Sequence, residues 1–532
     1  MISVQEWLAH DPDPGAAAEL AACSEAELAD RFAGTLTFGT AGLRGPLRAG
    51  PNGMNLAVVL RATWALGRVL LDRSPAGAAV VVGYDARHRS AEFGRAAAEV
   101  LAAQGFAVTL MFAPVPTPAV AYAVRATGAV AGVQITASHN PPTDNGYKVY
   151  LSGGLQIVSP TDQEIETRIA AAPFADEIAR TRVAASGAEL VRAYVERAAS
   201  VRRTAGSLRV ALTPLHGVGG DFACDALALA GFDDVHVVPE QFAPDPDFPT
   251  VAFPNPEEPG AVDALLALAA EVDADIGIAL DPDADRCAVA VPTPDGWRLL
   301  SGDETGWLLG DYVLSAGLDQ AVVASTVVSS RMLASIAAVH GARHVETLTG
   351  FKWLARADAD GEGTLVYAYE EAIGHCVDPD AVRDKDGISA AVLACDLVVA
   401  LRRQGRTVLD ALDDLARRHG VHTTTAVTRR VNTPEQAAAV MARLRAAPPT
   451  EVAGVALHVT DLQPRTDALV FTSGDDTASV RVVVRPSGTE PKLKCYIEIR
   501  CSGELEPARA RAAAQQAAVA ADVRTWGQRG PN

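Results

Sequence analysis

Short apolar runs alternate with Ala-rich helical stretches over roughly the first four hundred residues, and that alternation confines the chain to α/β sheet architectures. Residues 79–82, 106–112 and 130–135 read as strands, as do 208–212, 235–238 and 276–280, and then 321–326, 344–348 and 364–367. Continuous apolar character, without polar alternation, is what strands of a mostly parallel, doubly covered sheet require. Polar or Gly/Arg-containing linkers near Ser200, Gly302 and Gly420 break the pattern. They predict three α/β domains, 1–200, 201–302 and 303–420, and a fourth over 421–532. After His422 the order becomes strand, helix (434–446), several strands and a helix (507–523), which reads as a smaller α+β domain. Residues 16–32 should form a leading helix and 239–259 a proline-rich loop. With 532 residues, 49% of them apolar, each domain has enough material for a core.

Ser138 stands in Ile-Thr-Ala-Ser138-His139-Asn140-Pro141-Pro142, directly after an apolar run. A tight turn past a strand end would hold its hydroxyl clear of its neighbours, as a covalent relay requires. Ser-Asn-Pro turns also serve as plain loop and capping chemistry. The company Ser138 keeps favours the relay.

Asp281-Pro-Asp283-Ala-Asp285-Arg286 lies 143 residues further on, after Ile276-Gly-Ile-Ala-Leu280. If that run is a strand, the acidic triplet is the loop at its carboxyl end, where open α/β sheets bind ligands. Alternate carboxylates repel unless a cation relieves them, so Asp281, Asp283 and Asp285 suggest a hard divalent ion, magnesium first. A solvated acidic turn is the bland alternative. An EF-hand is excluded, since Arg286 and Pro292 replace the required Gly and Glu.

A third segment, Arg485-Pro-Ser487-Gly488-Thr489-Glu-Pro-Lys492-Leu-Lys494, offers backbone N–H groups, hydroxyls and cations suited to a phosphate dianion. A basic hairpin turn is the competing reading. Of 46 basic residues only five are lysines: Lys148, Lys352, Lys385, Lys492 and Lys494. All lie in Gly/Asp/Pro-punctuated segments, where a compact ammonium does what arginine cannot. None follows a glycine, so no Walker A loop is present, and Gly217-Val-Gly219-Gly220 lacks dinucleotide-fingerprint spacing.

With these motifs assembled, and with Phe38-Gly-Thr40-Ala-Gly-Leu-Arg44-Gly45 ahead of them, the chain resembles the α-D-phosphohexomutase superfamily of phosphoglucomutase/phosphomannomutase enzymes over nearly its whole length. Within that superfamily it looks most like the branch holding phosphopentomutase and glucose-1,6-bisphosphate synthase enzymes. The resemblance implies three related α/β domains with mixed, mostly parallel sheets and a different fourth, set around a central cleft. It implies a phosphoryl group on Ser138 and Mg²⁺ held by Asp281, Asp283 and Asp285, with the phosphoserine as a further ligand. It implies sugar contacts from the Tyr369-Glu370-Glu371-Ala-Ile373-Gly374-His375 segment. It also implies that Arg485, Ser487, Gly488, Thr489 and Lys494 hold the non-transferring phosphate. Many hexose mutases carry Glu-x-Ser-Gly in the sugar loop. Here Ile373 replaces the serine and cannot hydrogen-bond a hydroxyl.

The implied chemistry interconverts a sugar 1-phosphate with its 6- or 5-phosphate through a phosphoserine enzyme and a bisphosphorylated sugar. The glucose or mannose type is expected first, with phosphopentomutase or glucose-1,6-bisphosphate synthase activity as the alternative. A sugar bisphosphate would serve as activator. Lys148 is the matched proton acceptor, its pKa expected to be lowered by neighbouring Arg and Mg²⁺. Arg44 and Arg286 are expected to stabilise phosphoryl charge, and Thr40, Gly350, Lys352 and Lys385 to line the substrate. His375 is a second proton-transfer candidate, or else a satisfied loop residue; His139 reads as a turn-former. In Gly83-Tyr-Asp85-Ala-Arg87-His-Arg-Ser90, Arg87 either approaches the phosphoserine or belongs to helix capping. A Mg²⁺-dependent phosphatase and an inactive scaffold are the rival classes, and the intact serine and aspartates count against the scaffold.

Formal net charge is −19, which argues against nucleic-acid or anionic-membrane partners and leaves a small phosphosugar as the expected one. Seven scattered cysteines without Cys-x-x-Cys read as reduced thiols. Glu6, Asp11 and Asp13 without a basic cap argue against a signal peptide, and residues 382–401 are too interrupted by charge to span a bilayer. A cytoplasmic enzyme, monomer or homodimer, is expected.

Overall fold

The computed structural model describes residues 2–37, 42–431, 433–475, 477–486 and 492–526. The chain divides into two compact units. One comprises Met1–Thr305, Gly350–Arg356 and Leu365–Ala400; the other comprises Gly306–Thr349, Ala357–Thr364 and Leu401–Asn532.

The first unit holds a seven-stranded and a five-stranded sheet. In the larger, Ala79–Tyr84 pairs in parallel with both Ala107–Met111 and Ala131–Ile135. Every residue of Ala131–Ile135 is buried, as its apolar run requires at the centre of a covered sheet. Asp144–Leu151 then returns antiparallel, with Gln134 opposite Lys148, and Leu43–Pro46 closes that side. The Ser138 segment is the connection between Ile135 and Asp144. Helices Leu56–Leu71, Ser90–Ala103 and Thr117–Thr127 cover this sheet, the first started by the Asn55 side chain accepting from Val58 N.

The smaller sheet aligns Asp234–Val237, Arg209–Thr213 and Ile276–Leu280 in parallel, then Cys287–Thr293 and Gly296–Leu299 antiparallel. Residues 281–286 are therefore the turn at the carboxyl end of Ile276–Leu280, as the sequence implies. Gly217 makes room for that turn. A Cβ there would stand 2.4 Å from Pro282 Cα. Glu370 closes a hairpin with Gly374, between the strands Thr364–Glu370 and Gly374–Cys376.

In the second unit Ala321–Thr326 and Arg343–Thr347 pair in parallel around helix Met332–Val339. A five-stranded sheet follows, ordered Val421–Arg430, Lys492–Cys501, Ala478–Pro486, Leu469–Gly474 and His458–Asp461, antiparallel throughout. Helices Pro434–Ala446 and Leu505–Val523 accompany it, and Met441, Phe471, Val482, Ile497 and Val519 lie in the shared core.

The expected leading helix is two helices, Ala16–Ala21 and Glu25–Arg31. Ser24 adopts an extended conformation and forms a capping box with Glu27, so the chain stops and restarts there. All seven cysteines are free, and no helix among the described residues is long and apolar enough to cross a membrane.

Candidate active site

Ser138 sits in the left-handed region, φ 52°, with its N–H donating to Thr136 Oγ1 at 2.8 Å. Such a conformation is uncommon for a non-glycine residue and turns the side chain out of the line of the strand. Its Oγ donates to Asp281 Oδ2 at 2.9 Å and lies 3.2 Å from His139 Nδ1. His139 thus stands closer to the hydroxyl than its reading as a turn-former implies.

Asp281, Asp283 and Asp285 are completely buried, and one oxygen from each falls within 4.8 Å of the other two. Ala284, between them, is also left-handed at φ 53°, which folds the loop so that alternate side chains converge. Thr117 receives Asp283 into the first domain's helix, donating through both N and Oγ1. Burial and the charges of Asp283 and Asp285 push the Asp281 carboxyl well above its usual range. Burial acts the same way on Asp283 and Asp285, but Lys148, with Thr117 at Asp283 and Lys385 and Arg286 at Asp285, holds both below the ordinary value. Asp283 Oδ1 and Asp285 Oδ1 are buried with no hydrogen-bond partner. Orphaned carboxylate oxygens in a converging triad fit a divalent cation with oxygen ligands.

Lys148 Nζ stands 2.7 Å from Asp283 Oδ2 and 2.8 Å from Asp285 Oδ2. Burial alone would lower its pKa, yet the two aspartates raise it above the usual lysine value. The neighbours that raise it are carboxylates, whereas the sequence expectation rested on Arg and Mg²⁺. Lys385 Nζ adds a second cation 3.3 Å from Asp285 Oδ2, lies 5.5 Å from the Phe351 ring centre, and is likewise held charged.

Arg286 lies among carboxylates at ion-pair distance. Its Nε lies 3.9 Å from both Asp281 and Asp285, its Nη1 is 4.0 Å from Glu257, and Nε has no hydrogen-bond partner. Burial opposes its charge, but Glu370, Asp281, Asp285 and Glu257 more than offset this. Arg44 donates to Asn140 Oδ1 at 2.9 Å, joining the Leu43–Pro46 strand to the Ser138 loop.

Glu370 and Glu371 are half-buried, and burial raises the Glu370 carboxyl. Arg286 and Gly374 form a backbone bridge that ties this sugar-loop segment to the metal-loop side. Gly350 (φ 106°) starts the short helix Phe351–Leu354, which carries Lys352; burial lowers that lysine's pKa. His375 follows Gly374 in the strand Gly374–Cys376. It is completely buried, its Nδ1 3.1 Å from Tyr367 Oη, and burial lowers its pKa to about 3. Its ring stacks with those of Tyr367 and Tyr369.

In the second unit Arg485 and Lys494 face each other across neighbouring strands. Thr40, Ser487, Gly488 and Thr489 lie outside the described residues. Sequence reasoning missed Thr117 and Glu257, whose place beside Asp283 and Arg286 leaves no local motif.

Family models match the chain in four consecutive segments. These are phosphoglucomutase/phosphomannomutase alpha/beta/alpha domains I (35–176), II (191–296) and III (301–419), and the C-terminal domain (430–516). The chain is 42% identical to the Haemophilus influenzae protein named "Probable phosphomannomutase", over 84% of this chain and 93% of that one. The chain belongs to the phosphoglucomutase/phosphomannomutase family. It is also 33% identical to the phosphoribomutase of Saccharomyces cerevisiae (94% and 93% covered) and 34% identical to the human phosphopentomutase (89% and 86%). A Burkholderia thailandensis phosphoglucomutase/phosphomannomutase family protein superposes with TM-score 0.71 at 22% identity, over 93% of this chain and 98% of that one, which shows the shared fold. Membership makes the protein a phosphosugar mutase with the family's four-domain α/β fold.

Proposed function

We propose that the protein moves a phosphoryl group between the anomeric and terminal hydroxyls of a sugar phosphate through Ser138, with glucose or mannose phosphates as first substrates. The Ser138–Asp281 contact carries this reading, because it sets a conformationally exceptional hydroxyl against the cation triad. Asp281, Asp283 and Asp285 would hold Mg²⁺, with the phosphorylated serine supplying another oxygen. The ion supplies charge neutralisation at the transferring phosphoryl oxygens. The Oγ–P bond of Ser138 breaks as a new P–O bond forms to the substrate hydroxyl, whose proton is balanced by one taken up at Ser138 Oγ, and a sugar bisphosphate results. Return of its other phosphoryl group to Ser138 releases product, and a sugar bisphosphate from solution primes the cycle. Arg286 and Arg44 address the transferring group. Glu370, Glu371, Lys352 and Lys385 address the sugar. Arg485, Ser487, Gly488, Thr489 and Lys494 take the phosphate that stays. Lys148 serves as a cation; a role as proton acceptor requires that its pairs with Asp283 and Asp285 first be broken.

A pentose phosphate is the second reading, favoured by the chain's 33–34% identity to a phosphoribomutase and a phosphopentomutase. The test is ³¹P NMR with Mg²⁺ and a sugar bisphosphate on glucose-1-, mannose-1-, ribose-1- and deoxyribose-1-phosphate, with Ser138→Ala as control. Migration to the terminal hydroxyl that is lost in the control supports the proposal and names the sugar. Free phosphate alone would replace it with a phosphatase.

A further inference from the structure

The Gly83–Ser90 segment leaves two roles open for Arg87, and the contacts separate them. Asp85 does the local turn work: its Oδ1 accepts from Ser90 Oγ at 2.6 Å and from Arg87 N at 3.0 Å. The Arg87 side chain, only 1% exposed, keeps its Nε 3.5 Å from Asp85 Oδ2 and sends its terminal nitrogens toward the Ser138 loop. Its Nη1 donates to Pro141 O at 2.8 Å and Asp144 O at 3.2 Å; its Nη2 donates to Ser138 O at 2.6 Å and to Asn140 O. One guanidinium therefore gathers four carbonyls of the Ser138–Asp144 loop. The face of the guanidinium lies 4.9 Å from the Phe248 ring centre, in the proline-rich loop that follows Pro239–Phe242.

We infer that Arg87 is a positioning residue for phosphoryl transfer: it clamps the Ser138 loop so that Oγ stays on Asp281, and Phe248 closes the clamp. The inference rests on Ser138 as the phosphoryl carrier. A loop with two consecutive prolines has few neighbouring N–H groups for its own carbonyls, and buried carbonyls left unpaired are costly. Only arginine presents a rigid planar set of donors able to serve four acceptors at once, whereas a lysine has three donors on one atom. The same commitment separates Arg87 from Arg44 and Arg286. Its terminal N–H groups are spent on backbone, so it orients the loop and does not bind substrate phosphate.

Arg87→Lys keeps the charge and aliphatic stem without emptying the site, and Arg87→Ala opens space for methylguanidine. The expected results are a fall in kcat of about 10²-fold with KM little changed, as for a small misplacement of reacting groups. Amide exchange in residues 136–146 should be faster in Arg87→Lys, and methylguanidine should partly restore kcat in Arg87→Ala. Wild-type kcat in Arg87→Lys, or unchanged exchange in that segment, would overturn the clamp. Mass spectrometry of the wild-type enzyme primed with a sugar bisphosphate keeps the two claims apart. Absence of phosphoryl on Ser138 would sink the carrier role, and the exchange measurement would still decide the clamp.

Discussion

Ser138 Oγ and Asp281 Oδ2 meet at 2.9 Å across 143 residues of sequence, which joins the end of one sheet to the end of the next. Each partner comes from a loop at the carboxyl edge of a buried strand, and each loop contains a left-handed non-glycine residue. The contact brings the serine and the carboxylate triad into one cluster.

Lys148 is the counter-cation of that cluster. Lys148→Met leaves Asp283 buried without its ammonium partner and Asp285 with Lys385 alone, a change costing about 3 kcal/mol in typical buried pairs. Urea denaturation in EDTA should show this loss, and Mg²⁺ should return more stability to the variant than to the wild type. Equal Mg²⁺ effects on both proteins would mean that lysine and cation do not share the carboxylates.

Ile373 is almost fully buried, with φ 54°, packed in a core with Ala211, Leu265 and Ala279, and its carbonyl accepts from Cys287 N at 3.1 Å. Ile373→Ala should destabilise by about 2–4 kcal/mol from the cavity left behind. Ile373→Gly loses still more side chain but relieves the left-handed penalty, worth about 1 kcal/mol. Urea melts should therefore rank Gly level with or above Ala. Ile373→Ser should gain no hexose activity, because its hydroxyl would point into that core; a gain would place position 373 at the sugar.

His375 should be dispensable for proton transfer. In His375→Gln, kcat should stay within an order of magnitude of wild type, and the pH–rate profile should keep its limbs. The stability signature differs. With a folded pKa of about 3 against an unfolded value near 6.5, the unfolded chain alone takes up a proton as pH falls through that window. The histidine term is therefore flat above pH about 6.5 and increasingly unfavourable toward pH about 3, so wild-type Tm should fall more steeply on acidification than that of His375→Gln. Parallel Tm curves would contradict a buried neutral imidazole.

What the sequence revealed was local. The Ser138 turn, the aspartate triplet and the strand preceding each were readable because motif and apolar run adjoin. The pairing of Lys148 with Asp283 and Asp285 was not, because it depends on register, with Gln134 set opposite Lys148 and a second sheet brought alongside. The burial of His375 was not legible either, because it follows from strand pairing with Tyr369. Glu498 left no trace in sequence. It accepts from Ser330 Oγ at 2.7 Å, Arg331 N at 2.8 Å and His422 Nδ1 at 2.8 Å, groups separated from it by 76 residues or more. Such hubs exist only after folding.

The most direct measurement is peptide mass spectrometry of the protein incubated with Mg²⁺ and a sugar bisphosphate, then chased with the sugar monophosphate. One phosphoryl group on Ser138, discharged by the chase, is expected, with no label and no turnover in Ser138→Ala. Turnover surviving in Ser138→Ala, or the phosphoryl group on another residue, would contradict Ser138 as the carrier.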